Sequence, residues 1–166
     1  MSKKFHHAFG VYGVMTDGKN LVVIKKNGGP YLNRFDLPGG SLDDGEPLAH
    51  AIKREIQEET QIEVIQVKQL GTTSFRFPWQ YKNWQYNQHI CVFYNIEKFS
   101  GPIADKVAQF TGQDSLGAVW IELSKTSIEN SSPLVLKAKE YVESGLVFDV
   151  EDQYFETWDV LEEPAF

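Results

Sequence analysis

The chain has little of what several large protein classes require. It holds one cysteine, Cys91, so no internal disulfide can form. No apolar run approaches the length of a membrane span. It carries no surplus of positive charge: the net charge is −7, which argues against generic binding to a nucleic-acid backbone. Internal repeats, low-complexity tracts and linker-like stretches are absent. No signal-peptide pattern is visible, since Ser2, Lys3 and Lys4 lead straight into Phe5-His6-His7. The expectation is a reducing, cytoplasmic setting, with no membrane association and no long nucleic acid as partner. An anionic substrate is still compatible with that charge, provided a metal ion comes between protein and phosphate.

What is there suits one folded domain over residues 1–166, long enough to bury its own core. Apolar residues make up 42% and aromatics 13% of the chain, a composition of folded rather than disordered proteins. Phe9 to Met15 and Leu21 to Ile24 read as strands joined by the four-residue turn Asp17-Gly18-Lys19-Asn20, a hairpin. Pro38-Gly39-Gly40 marks a sharp bend. A helix is expected from Pro47, at its first position, to about Glu59. Further strands are expected from Ile62 to Phe75, from His89 to Ile96 and around Val119-Trp120-Ile121. Phe77 to Trp84 reads as an aromatic turn between two of these. Ser131-Ser132-Pro133 starts a second helix, and Gly145 closes it. Leu146 to Phe166 is an acidic, aromatic extension of unassigned role. Strands interleaved with two helices predict an α/β (α+β) domain with a mixed sheet, as a monomer or homodimer.

The most informative stretch runs from Gly40 to Ile62. Glu55, Glu58 and Glu59, at i, i+3 and i+4, share one face of the expected helix. Two such charges about 5 Å apart repel by roughly 3 kcal/mol at an effective dielectric near 20. On a helical wheel the three acids border the apolar stripe of Leu48, Ile52 and Ile56, whereas His50, Lys53 and Gln57 lie opposite. An ordinary solvated acidic face points away from the core. The macrodipole also disfavours acids in a last turn. A divalent cation resolves both conflicts, because hard cations take carboxylate oxygens. Lys53 and Arg54 are expected to relieve the repulsion only from another face. Glu46, at the helix entrance, is expected to pair with Arg54 and brace the loop. Gly39 and Gly40 are either a plain turn or a bend that aims a backbone carbonyl at the ion instead of pairing in a sheet.

Taken together, Gly40, Glu46, Arg54, Glu55, Ile56, Glu58, Glu59 and Ile62 resemble the Nudix box. That pattern reads Gly, five residues, Glu, seven residues, Arg-Glu, an aliphatic, any residue, Glu-Glu, any residue, Gly, an aliphatic. Gln61 stands where the family has glycine, and implies strain or a different exit of the chain from the helix. Leu37-Pro38-Gly39-Gly40, the preceding hairpin and the Trp120 strand with its following helix are also similar, so the resemblance covers most of residues 5–145. It implies a Nudix-type α/β/α sandwich with a mixed central sheet. It also implies a pyrophosphohydrolase that cleaves a nucleoside diphosphate linked to another moiety.

By this resemblance the catalytic residues are Glu55, Glu58, Glu59 and Arg54. The ligands for Mg²⁺, or for Mn²⁺, are Glu55, Glu58, Glu59 and the Gly39 carbonyl, with Gly40 and Glu46 as supports. Glu58 or Glu59 orients the attacking water. Asp114 is an extra ligand or base from a loop, or a surface acid. Lys26 and Arg34, with Lys25, meet phosphate or are simply solvated. Trp79, with Phe75, Phe77, Tyr81 and Trp84, forms a stacking wall for a nucleobase, a packed hairpin or a dimer contact. Asn130 is a candidate reader of a base edge. Cys91 reads as a small core hydrophobe, and the four histidines show no zinc-like spacing. The alternative to an enzyme is a Nudix-fold module that holds a small nucleotide without turnover. Triphosphates, nucleotide sugars, dinucleoside polyphosphates and capped RNA ends are all open as substrates.

Overall fold

The computed structural model describes residues 2–166. Strand β1 (Phe5–Val14) leads into β2 (Asn20–Lys26), a short 3-10 turn (Gly29–Tyr31), and two two-residue strands, β3 (Phe35–Asp36) and β4 (Gly39–Gly40). Helix α1 (Leu48–Thr60) is followed by the long strands β5 (Glu63–Tyr81) and β6 (Trp84–Ser100). Strand β7 (Ser115–Glu122), helix α2 (Pro133–Glu143) and strand β8 (Gln153–Tyr154) complete the chain. One sheet is mixed, ordered β4-β1-β6-β5-β8, with β1 parallel to β6 and β8 parallel to β5. The other is antiparallel, ordered β3-β2-β7. Among the described residues no helix is long and apolar enough to cross a membrane.

Alternation along the strands builds two cores, one on each side of the sheets. Val11, Val22, Ile24, Val92 and Ile96 face α1 and pack on Ala51, Ile52 and Ile56. Their neighbours Tyr12, Val14, Leu21, Val23, Cys91 and Phe93 face α2 and pack on Leu134, Val135, Ala138 and Tyr141. Strands covered on both faces become apolar throughout, which is why β6 alternates so poorly. This is the expected α/β/α sandwich.

Three expectations are corrected. The hairpin is only a stub: Thr16 bridges Leu21, and the Val22 N–H donates to the Met15 carbonyl at 2.9 Å. Beyond it β1 and β2 enter different sheets, because β6 takes one edge of β1 along its whole length and β4 takes the other. Helix α1 starts one residue late, with Pro47 outside it in an extended conformation (ψ 144°). The aromatic turn is mostly strand: Phe77 to Tyr81 end β5, Trp84 begins β6, and only Lys82-Asn83 turn.

The extension from Leu146 is packed onto the fold. Phe148, Phe155, Trp158 and Phe166 lie against the α2-side core. The Trp158 indole N–H donates to the Pro30 carbonyl at 2.8 Å, and Asn33 Nδ2 donates to the Leu161 carbonyl at 2.8 Å. The tail therefore clamps the segment between β2 and β3.

Candidate active site

Helix α1 presents its acids in graded surroundings. The Glu59 side chain is buried, Glu55 is nearly so, and Glu58 stands at the rim. Arg54 ties them together. Its Nε and Nη2 donate to the two carboxylate oxygens of Glu46, each at 2.8 Å. Its Nη1 donates to Glu55 at 2.9 Å and to Glu58 at 3.4 Å, and Nη2 also donates to the Ser41 carbonyl at 3.0 Å. The fork-to-fork pairing holds the Glu46 carboxyl down at about 2. Arg54 thus does relieve the acid cluster directly, because a guanidinium at the edge of the acidic face reaches both Glu55 and Glu58.

The Gly39-Gly40 pair is more than a turn. The two residues form β4 against Val11 and Tyr12, so their backbone does pair in the sheet. The group they direct at the acids is the Gly39 N–H, which donates to Glu59 Oε2 at 2.8 Å. Gly39 has φ 151°, and a Cβ there would strike the Val11 carbonyl. At Gly40 a Cβ would meet the Glu55 carboxyl at 2.8 Å. Gly39 lets the backbone lie against β1, and Gly40 lets it lie directly against the Glu55 carboxyl.

Burial pushes the Glu59 carboxyl well up, opposed by Lys26, and pushes Glu55 up, opposed by Arg54. A divalent cation would reverse that tendency. The donor set suits one: carboxylate oxygens alone, with Glu59 Oε1 and Glu55 Oε2 free of protein hydrogen bonds among the described residues. No three His, Cys, Asp or Glu side chains among the described residues are already gathered at coordinating positions. A cation must compete with Arg54 for Glu55 and Glu58.

Beside the acids, Lys26 from β2 is largely buried between Asp36 and Asp114. Its ammonium pairs with Asp114 and lies 3.9 Å from Asp36 Oδ2. Burial works against its charge, but Asp36, Asp114 and Glu59 outweigh burial and raise its pKa. Asp36 also accepts hydrogen bonds from Ser132 Oγ at 2.6 Å and the Leu37 N–H at 2.9 Å. Burial nevertheless raises it to about 6, against the pull of Lys26.

These residues form one wall of a pocket of about 140 Å³, whose other sides include Tyr12, Tyr31, Trp79, Asn87 and His89. His89 is buried, with Tyr12 Oη 2.8 Å from Nε2 and Tyr31 Oη 2.9 Å from Nδ1. Burial foremost, then the neighbouring Lys26 and His6, lower its pKa to about 3, so the ring is neutral at ordinary pH.

Of the expected substrate residues, Lys26 and Trp79 line this pocket, as does Asp114, the candidate extra ligand or base. Arg34 and Asn130 do not. The buried Arg34 guanidinium donates to the carbonyls of Asp159, at 2.7 Å, and Ile128, at 3.2 Å, and stacks over Trp158. The Asn130 amide is spent on its own turn, accepting from the Ser127 N–H and donating to the Lys125 carbonyl. Phe75 and Phe77 are core residues, while Tyr81 and Trp84 stack beyond Trp79 at the hairpin tip. Sequence reasoning missed Tyr12, Tyr31, Asp36, Asn87 and His89. Tyr12 and His89 carried one visible signal, a polar group within an apolar strand; Tyr31, Asp36 and Asn87 carried none.

Comparison with known proteins agrees with this architecture. The NUDIX domain family matches residues 4–141. An ADP-ribose pyrophosphatase of Methanocaldococcus jannaschii is 38% identical over 55 residues, which are 33% of this chain and 32% of that protein. An 8-oxo-dGTP diphosphatase of Proteus vulgaris is 29% identical over 106 residues, 63% of this chain and 86% of that one. The match to the first relative spans about a third of its length. Among solved structures, a MutT NUDIX hydrolase from Burkholderia pseudomallei aligns with TM-score 0.64 at 21% identity. That alignment covers 81% of this chain and 97% of that one, a likeness of fold.

Proposed function

The chain belongs to the Nudix hydrolase family, and from that premise we propose that it is a metal-dependent pyrophosphohydrolase. Its substrate is a small nucleotide in which a nucleoside diphosphate is linked to another moiety, cleaved by water at phosphorus. The observation that carries this reading is the α1 acid cluster, complete, half-buried and braced by Arg54 and Glu46.

Glu55, Glu58 and Glu59 would hold Mg²⁺ or Mn²⁺, aided by the backbone at Gly39. When bound, the ion neutralises the diphosphate and lowers the pKa of a bound water. Arg54 and Glu46 keep the carboxylates aimed while substrate enters. Lys26 lies between the acids and the pocket, which suits it to meet a phosphate oxygen. Asp114 then exchanges its lysine partner for a role as base or ligand. The pocket takes the substrate's ring: its volume compares with the ~150 Å³ cavity that admits a single aromatic ring. Trp79 supplies a stacking face, a contact that contributes about 1–3 kcal/mol per base.

Gln61 leaves helix α1 in the left-handed region, with φ 64° and its N–H donating to the Gln57 carbonyl. The exit that a glycine makes is therefore retained at some cost in strain. The experiment is a panel of ADP-ribose, 8-oxo-dGTP, other triphosphates, nucleotide sugars and dinucleoside polyphosphates with Mg²⁺ in ¹⁸O-labelled water. Products with label on phosphate support the hydrolase. Nucleotide binding with no product from any member would replace it with the binding module.

A further inference from the structure

The pocket's polar lining divides into groups already engaged and groups still free. Asp36 and Asp114 are engaged by Lys26, and Asp36 also by Ser132 and the Leu37 N–H. Asn87 is buried, 1% exposed, and its Oδ1 takes the ring nitrogen Nδ1 of His6 at 2.9 Å. No protein hydrogen bond from its NH₂ end is present among the described residues, and Asn87 lines the pocket.

His89 adds a second free donor by valence alone. A neutral imidazole has one N–H and one lone pair, yet a tyrosine hydroxyl lies within hydrogen-bond distance of each ring nitrogen. One tyrosine must therefore donate to His89 and the other accept from it. The accepting tyrosine keeps its own O–H, for which no protein acceptor is present among the described residues. Tyr12, Tyr31 and His89 all border the pocket. Asn87 and His89, two apart on β6, project to the same side of the sheet.

Two residues with a spare donor thus line one ring-sized space, whose buried carboxylate, Asp36, is already committed. A carbonyl oxygen, with two lone pairs, satisfies both donors; an exocyclic amine satisfies neither. We propose that the pocket selects a nucleobase bearing an exocyclic oxo group over the matching amino base, read by Asn87 Nδ2 and the free phenolic O–H of the Tyr12–His89–Tyr31 chain. This rests on the reading of the pocket as the substrate's ring site. Choice of tyrosine follows the His89 tautomer, so one of the two hydroxyls carries the selectivity.

The test is calorimetric binding of inosine 5′-monophosphate and adenosine 5′-monophosphate to the full chain, two probes that differ at position 6, oxo against amino, and at N1, which carries a proton only in the first. Inosine monophosphate should bind about tenfold more tightly, the effect of leaving a buried donor unpaired. Asn87→Asp, which exchanges a donor for an acceptor, should abolish or reverse the preference. Tyr12→Phe or Tyr31→Phe should reduce it, and these two decide the matter if the aspartate variant does not fold. Equal binding, a preference for the adenine nucleotide, binding of neither, or retention of the full preference by both phenylalanine variants overturns the proposal. The assay involves no turnover, so it separates the two readings. A chain that prefers inosine monophosphate but hydrolyses nothing loses the enzymatic reading alone, and one that hydrolyses nucleotides without preference loses this one.

Discussion

Replacing His89 by glutamine should make the fold gain stability on acidification relative to the wild type. In the folded chain burial and nearby Lys26 lower the His89 pKa from 6.5 to about 3. Between those values the unfolded chain binds a proton that the folded chain does not, so stability falls as pH falls. The full window corresponds to about 5 kcal/mol, at 1.36 kcal/mol per pKa unit. Between pH 7 and pH 4.5 the loss is about 2.5 kcal/mol. Asp36 works in the opposite sense, because burial raises its pKa from 3.8 to about 6. Here the folded chain binds the extra proton, and acidification over the same interval returns about 2 kcal/mol. The two nearly offset in the wild type. His89→Gln should therefore gain stability relative to wild type on going from pH 7 to 4.5, and Asp36→Asn should lose it. The assay is urea unfolding at a series of pH values, with free energies from linear extrapolation. Only the pH-dependent difference between variant and wild type is read, so any uniform cost of the substitution drops out. If the His89→Gln and wild-type curves run parallel, the assignment of a neutral, buried imidazole is wrong.

Other outcomes follow from single contacts. Arg54→Lys removes the fork that grips Glu46 while keeping the charge, and should lower kcat/KM or metal affinity by about 10–100-fold; steady-state kinetics against Mg²⁺ concentration checks it. Gln61→Gly should relieve the left-handed residue at the end of α1 and raise stability by about 0.5–1 kcal/mol, or about 1–4 °C in Tm by scanning calorimetry. Trp158→Ala removes the indole that holds Pro30 and stacks with Arg34, next to the pocket residue Tyr31. It should cost about 2–3 kcal/mol of stability and raise KM more than it lowers kcat.

How much of this was legible in the chain depends on the range of the interactions. Helix α1 and its acids were readable because the spacing of Glu55, Glu58 and Glu59 is local, and so was the Ser132 cap, whose Oγ accepts from the Val135 N–H. The Glu46–Arg54 brace was readable for the same reason, being eight residues apart. The pocket was not. Tyr12 and His89 meet across 77 residues of chain, and Tyr31 and His89 across 58, through sheet pairings that no local pattern announces. The parallel register of β1 on β6, His6 opposite Asn87 and Ala8 opposite His89, creates that neighbourhood. Arg34 misled because a lone basic residue reads as a solvated or phosphate-binding group. Its partners are backbone carbonyls, one of them in the distant tail, and a carbonyl leaves no mark on composition. The tail itself read as unassigned because its apolar residues pack singly on a surface built by other segments, without a helical or strand period of their own.

The proposed role of the α1 acids is to hold a catalytic divalent cation. Its most direct measurement is Mg²⁺-dependent hydrolysis of the best nucleotide of the panel by the wild type, Glu58→Gln and Glu59→Gln, with folding of each verified by circular dichroism. Loss of most turnover in both folded variants, with none in the wild type when Mg²⁺ and Mn²⁺ are chelated, is the predicted result. Full activity in both variants, or wild-type turnover that persists under chelation, would contradict the account.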